Sequence, residues 1–179
     1  MAFQKTKSSE IQEDGDCGPY RRNEILELYM NTLKNGIIDE IVHGDKEVYN
    51  SVFFFGDPVS VRLTMNKLAK AYGQEYPQDL ICRTNGIDFV CELLGAIKEG
   101  TVDRFKEMYR HARLLIFENV EVIAGRETTM QMFYNIFDDI YESGGRIVIG
   151  GSKPPAQIQT LEDRVRTQLE GGIICCVDD

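Results

Sequence analysis

From Ser51 to Val177 short apolar runs alternate with segments of helical periodicity, and this alternation constrains the fold more than any other feature. The runs are SVFFF (51–55), DLICRT (79–84), RLLIFEN (113–119), RIVIGG (146–151) and IICCV (173–177). Helical patterns lie between them, around 62–74, 87–100, 102–112, 127–145 and 160–172, several of them stopping at glycine. Strands that are apolar on both faces and joined by helices belong to a parallel sheet covered on both sides. The expected fold is therefore α/β, a five-stranded parallel sheet with helices on both faces. Ligands of such open sheets bind outside the carboxyl ends of the strands. That places the loop after Phe55, Asn85, the Glu118-Asn119 pair and GGSKPP (150–155) along one edge.

The remainder of the chain frames this core. Residues 1–20 are polar with almost no large apolar side chains, which predicts a flexible tail. Residues 21–179 read as one domain. It opens with RRNEILELYMNTLKNGIIDEIVHGD, a helical pattern that Gly36 interrupts and Gly44 can end, as one long helix or two short ones. That segment either packs on the sheet and completes the core or offers its apolar stripe to a partner. The 20 Lys and Arg against 29 Asp and Glu give a net charge of −9, so nucleic acid would need a local basic patch. No apolar run approaches the roughly 20 residues of a membrane span, and no signal-peptide stretch opens the chain. The five cysteines show no C-x-x-C spacing and only two histidines accompany them, which argues against a zinc site. Cys82, Cys91, Cys175 and Cys176 are expected in the core, in a reducing cytoplasm.

The stretch SVFFFGDPVSVRLT (51–64) has the layout of a phosphate-binding loop: strand, glycine, short loop, helix. A working G-x-x-x-x-G-K-[ST] loop needs backbone N–H groups around the phosphates, a lysine on their oxygens and a hydroxyl on Mg²⁺. Here Gly56 fits the first glycine. Pro58 lacks a donor, Val61 resists the positive φ of the second glycine, Arg62 takes the lysine position and Leu63 the hydroxyl position. Asp57 adds negative charge, and Ser60 or Thr64 offers an oxygen out of register. The third strand ends in Glu118 and Asn119, where a nucleotide-hydrolysing site of this type uses acids for Mg²⁺ and for water. An amide cannot act as a general base. The bland alternative is that this pair caps the following loop.

These positions, with RFKEMYRHARLLIFENVEVIAGRETTMQMFYNIFDDIYESGGRIVIGGSKPP, TLEDRVRTQLEGGIICCV and the helical IKEGTVDRFKEMYR, resemble the nucleotide-binding core of DnaA-type bacterial replication initiators, which are AAA+ proteins. The family's F-x-A-G-K-E-x-T-Q-x-E-F-F-x-x-F-N helix, its sensor strand ending in D-R-P-P and its L-E-D-R-L-x-S-R-F-x-W-G-L segment run collinearly here. Helicase loaders share the core, and LEDR after Pro-Pro favours the initiator branch. The resemblance implies a P-loop NTPase core of AAA+ type. It assigns Gly56, Arg62, Leu63, Glu118, Asn119 and Ser152 to a vestigial nucleotide site, and Arg164 and Gln168 to the arginine-finger segment. Lysine, hydroxyl, catalytic acid and finger are replaced together.

With those replacements the resemblance implies a pseudo-ATPase: no catalytic residue, no metal beyond Glu118 if any, no cofactor, and a role as an interaction module in replication. Its expected partners are an initiator, a related AAA+ protein or a second copy. Lys106 matches one basic position of the family's single-strand contact, while Glu107 replaces another. Lys98, Arg104, Arg110 and Arg113 lie nearby, so single-stranded DNA is a minor reading; duplex DNA is not expected, because the sequence stops at VDD, where the resemblance would continue into a helical lid and a duplex-reading domain. The alternative is an ATP- or ADP-binding DnaA-like protein, with Arg62 on phosphate and Glu118 on Mg²⁺, or a fragment of a full initiator.

Overall fold

The computed structural model describes residues 32–44 and 51–178, so the expected tail and the start of the first helix lie outside the described residues. Residues 32–43 form helix α1, which Gly36 does not interrupt. Five strands come after it: β1 (Ser51–Phe55), β2 (Ile81–Asn85), β3 (Leu114–Glu118), β4 (Arg146–Gly151) and β5 (Ile173–Cys176). The helices between them are α2 (Pro58–Glu75), α3 (Gly86–Glu99), α4 (Val102–Arg110), α5 (Glu127–Glu142) and α6 (Asp163–Glu170).

All pairings are parallel, in the order β2-β3-β4-β1-β5. This order explains the layering. The chain leaves β1 past β4 and β3 to reach β2, then returns in the opposite direction through β3, β4 and β5. Right-handed crossovers must then put α2 on one face and α3 to α6 on the other. The side chains agree. On the α2 face Val52, Phe54, Leu114, Ile116 and Val148 meet Val61, Met65, Leu68 and Tyr72, with Ile38, Ile41 and Val42 of α1 beside them. On the opposite face Phe53, Leu115, Phe117, Ile147 and Ile149 meet Phe89, Leu93, Phe133, Phe137, Val165 and Leu169.

Phe89 anchors the second face, with ring centroids of Phe105, Tyr109 and Phe117 at 5.2, 5.7 and 5.3 Å in edge-on geometry. Such pairs contribute about 1 kcal/mol each beyond their buried area. Cys175 is buried, while Cys82 and Cys176 are half-buried. Cys91 corrects its expectation: it lies exposed on α3, whose core stripe is carried by Phe89, Leu93 and Ala96.

Helix α1 docks against α2. The Arg146 side chain, 1% exposed, reaches from the start of β4 to the helix end, donating to the Gly44 carbonyl at 2.7 Å and the Glu40 carbonyl at 3.4 Å. The Tyr76 hydroxyl donates to the Val42 carbonyl at 3.0 Å. Burying a cation is costly unless hydrogen bonds receive it, and the last carbonyls of a helix are natural acceptors. The described part of the segment, residues 32–44, therefore packs on the core, with its carboxyl end fixed by a buried arginine.

Candidate functional site

The parallel registers bring the carboxyl ends of the strands to one edge, where β1 lies between β4 and β5. Here the direction of winding reverses, which is where ligands of open α/β sheets bind. Gly56, Ser152 and Glu118 lie at or just beyond the ends of β1, β4 and β3 in that spatial order, so Gly56 and Glu118 are about 10 Å apart across two strand spacings.

The connection from β1 to α2 is only Gly56 and Asp57. The helix begins at Pro58, four residues ahead of the helical pattern read from the sequence, for a local reason. Asp57 is an N-cap whose Oδ2 accepts from the Val59 and Ser60 amides at 3.1 and 3.0 Å. Pro58 occupies the first helical turn, where its missing N–H costs nothing. The proline read as a defect in a phosphate cradle is thus a helix starter. The Val61 amide donates to the Asp57 carbonyl at 2.9 Å, and the Asp57 amide donates to Asp178 Oδ1, beyond β5. From Asp57 to Val61, each backbone N–H therefore has an acceptor within the chain.

The helix also fixes its neighbours. Val61 is buried against the sheet, and the Thr64 hydroxyl donates to the Ser60 carbonyl at 2.9 Å. Arg62 and Leu63 point outward; both are exposed, and Arg62 has no hydrogen-bond or ion-pair partner among the described residues. Gly56 has φ +136°, a left-handed value suited to glycine, and a side chain there would run into the Asp178 carboxylate.

Glu118 lies on the α2 side of β3, as Ile116 does. Its carboxylate, with the side chain 18% exposed, accepts from Arg83 of β2 through Nε at 2.7 Å and Nη2 at 2.5 Å. Arg83 Nη1 donates to Asn66 Oδ1 of α2 at 2.6 Å. One guanidinium thus joins the acid of β3 to helix α2. Asn119 turns the chain in the left-handed region (φ 55°), which short polar side chains tolerate. The Ser152 amide donates to Glu121 Oε1 at 3.3 Å, and Glu121 Oε2 is buried beside Gly151 without a partner among the described residues.

Arg164 and Gln168, expected in an arginine-finger segment, are elsewhere. Helix α6 packs on the opposite face, and Arg164 there donates to Glu162 and to Gln131 of α5, with its guanidinium 5.0 Å from the Tyr134 ring centroid. Gln168 lies a turn later, half-buried. On α4, Lys106 pairs with Asp139 of α5 at 3.0 Å and Arg110 with Glu107 at 3.0 Å, and Arg113, just before β3, donates to the Ser143 carbonyl.

Reading the sequence missed Arg83, Asn66 and Asp178. Arg83 left a signal, a lone charge inside an apolar strand. Asn66 and Asp178 left none, since each is an ordinary polar residue in a helix or after a strand.

The five-stranded parallel sheet with this order and edge site defines an AAA+-type α/β domain of the P-loop fold. The AMPPCP-bound DnaA from Aquifex aeolicus superposes with a TM-score of 0.75 at 23% identity, over 83% of this chain and 46% of that one. The DnaC helicase loader gives 0.66 at 13% identity, over 90% and 92%. The chain belongs to the bacterial DnaA ATPase domain family, whose description it matches over residues 25–176. The chromosomal replication initiator protein DnaA of Deinococcus radiodurans is 31% identical over 148 residues, which are 80% of this chain and 31% of the relative. The chain thus spans under a third of that relative's length.

Proposed function

We infer that this chain is a DnaA-like AAA+ domain that serves replication initiation as a protein-interaction module and does not hydrolyse ATP. The observation that carries the reading is the two-residue connection Gly56-Asp57, in which the amides available to a phosphate are taken by Asp57 and Asp178. A phosphate cradle needs such amides pointing outward. The other positions agree. Arg62 replaces the lysine, Leu63 offers no oxygen to a metal, and Arg83 holds Glu118 in place of a divalent ion. Asn119 supplies no base, Ser152 stands at the sensor position, and Gln168 cannot stabilise a neighbour's phosphate charge as the finger arginine does. Gly56, Arg62, Leu63, Glu118, Asn119 and Ser152 are then the remains of a nucleotide site, and Arg164 serves packing of α6 on α5.

The partner on this reading is a protein: a replication initiator, a related AAA+ protein or a second copy, in the cytoplasm. No described helix is long and apolar enough to cross a membrane. The test is calorimetric titration of the purified chain with ATP and ADP, with and without Mg²⁺, alongside co-purification with an initiator. The expected result is no heat up to about 1 mM nucleotide, an affinity weaker than about −4 kcal/mol, with recovery of an initiator. Micromolar binding would overturn the reading in favour of an ATP- or ADP-binding DnaA-like protein, with Arg62 on phosphate and Mg²⁺ on Glu118. Family membership is what favours that second reading.

A further inference from the structure

We propose that the chain supplies its own substitutes for a bound phosphate and metal: the Asp57 and Asp178 carboxylates at the β1–α2 loop, and the Arg83 guanidinium at Glu118. The proposal rests on the reading that the site takes no nucleotide, and it goes further. The site was refilled from within rather than merely eroded.

The start of a helix carries partial positive charge and free amides that favour an anion. At α2 both needs are met by carboxylates of the chain. Asp57 Oδ2 takes two amides of the first turn, and Asp178, 121 residues away, takes the amide of Asp57 itself. The second contact is long-range and specific to the loop. It joins the chain after β5 to the connection after β1, continuing the ladder in which the Val177 amide donates to the Phe55 carbonyl at 2.9 Å. Gly56 is the residue that allows the approach, because any side chain there would meet the Asp178 carboxylate.

The acid end of the site shows the opposite charge. A carboxylate at the end of a buried strand, 18% exposed, needs a cation or donors. Arg83 delivers two N–H groups to one oxygen of Glu118 and a third to Asn66, so the guanidinium links β3 and α2 as well as neutralising the acid. Anion and cation substitutes both bear on α2, one at its first turn and one at Asn66. The helix is thereby held to the sheet edge with no ligand present. An eroded site would leave unpaired donors or an unpaired acid at these positions.

The experiment compares wild type, Asp57→Ser with Asp178→Ala, and Arg83→Met by thermal melting, with tripolyphosphate or Mg²⁺ as probes. Serine keeps an N-cap oxygen while removing the charge. In wild type, neither probe at about 1 mM shifts the melting temperature. The double variant melts about 5 °C lower, and tripolyphosphate recovers part of the loss. Arg83→Met likewise melts lower and gains a response to Mg²⁺. A double variant that melts with wild type or ignores tripolyphosphate overturns the proposal and leaves the nucleotide-free reading standing. A wild type that itself responds to tripolyphosphate overturns both. Should the double variant not fold, Asp178→Ala alone decides by hydrogen exchange. Exchange about tenfold faster in the peptide spanning Gly56 to Val61 supports the latch, and unchanged exchange overturns it.

Discussion

Tyr109 and Tyr72 show what burial does to single residues here. Burial first of all pushes the Tyr109 hydroxyl up to about 12, and its O–H reaches Glu92 at 3.3 Å. Tyr72 is pushed higher still, by burial and then by its hydrogen bond to Asp79 at 2.8 Å. Both folded-state values lie above the ordinary tyrosine value near 10. Their stabilisation is therefore complete below that pH and is lost as pH rises through the folded values. Urea midpoints should accordingly fall between about pH 10 and 12, and tyrosinate absorbance should lag behind that of free tyrosine. The thiols obey the same logic: burial raises the pKa of Cys82 and of Cys175, so thiolate chemistry is suppressed at both, while Cys91 is exposed.

Among the elements, α1 is tied down by a distant side chain. Its carboxyl end is held by Arg146, which is buried and reaches the Glu40 and Gly44 carbonyls. Replacing it by methionine keeps the apolar stem and leaves two carbonyls without that donor. The expected cost is about 2–3 kcal/mol, read as a lower urea midpoint, with α1 amides exchanging before those of the sheet. Helix α2 carries the opposite lesson. Where it starts is set locally by Asp57 and Pro58, a cap-and-proline signature legible in the sequence, and only the Asp178 contact at that start is long-range. The expectation of a phosphate loop obscured it, because a glycine between a strand and a helix opens either a cradle or, as at Gly56, a direct turn into the helix. What separates the two is whether the amides turn outward or into the helix.

At the scale of the whole molecule, charge argues against nucleic acid. The net charge is −9, and Lys106 and Arg110 of α4 are already engaged with Asp139 and Glu107. A labelled oligo-dT strand should therefore show no anisotropy change with this protein at about 0.15 M salt; micromolar binding would restore the single-strand reading. The strand and helix alternation, the five-stranded parallel sheet and the edge that gathers Gly56, Glu118 and Ser152 were all legible in the sequence. Each comes from apolar periodicity, a local property that burial enforces. The composition of the edge was not legible. Arg83 meets Glu118 across 35 residues and Asp178 meets Asp57 across 121. Those meetings depend on β2 lying beside β3 and β5 beside β1, a strand order that periodicity does not encode. The sequence by itself determined the layers and the sheet edge at which Gly56, Glu118 and Ser152 lie. Only the tertiary structure decided which charges meet at that edge, because charges pair by distance in space and not by position along the chain.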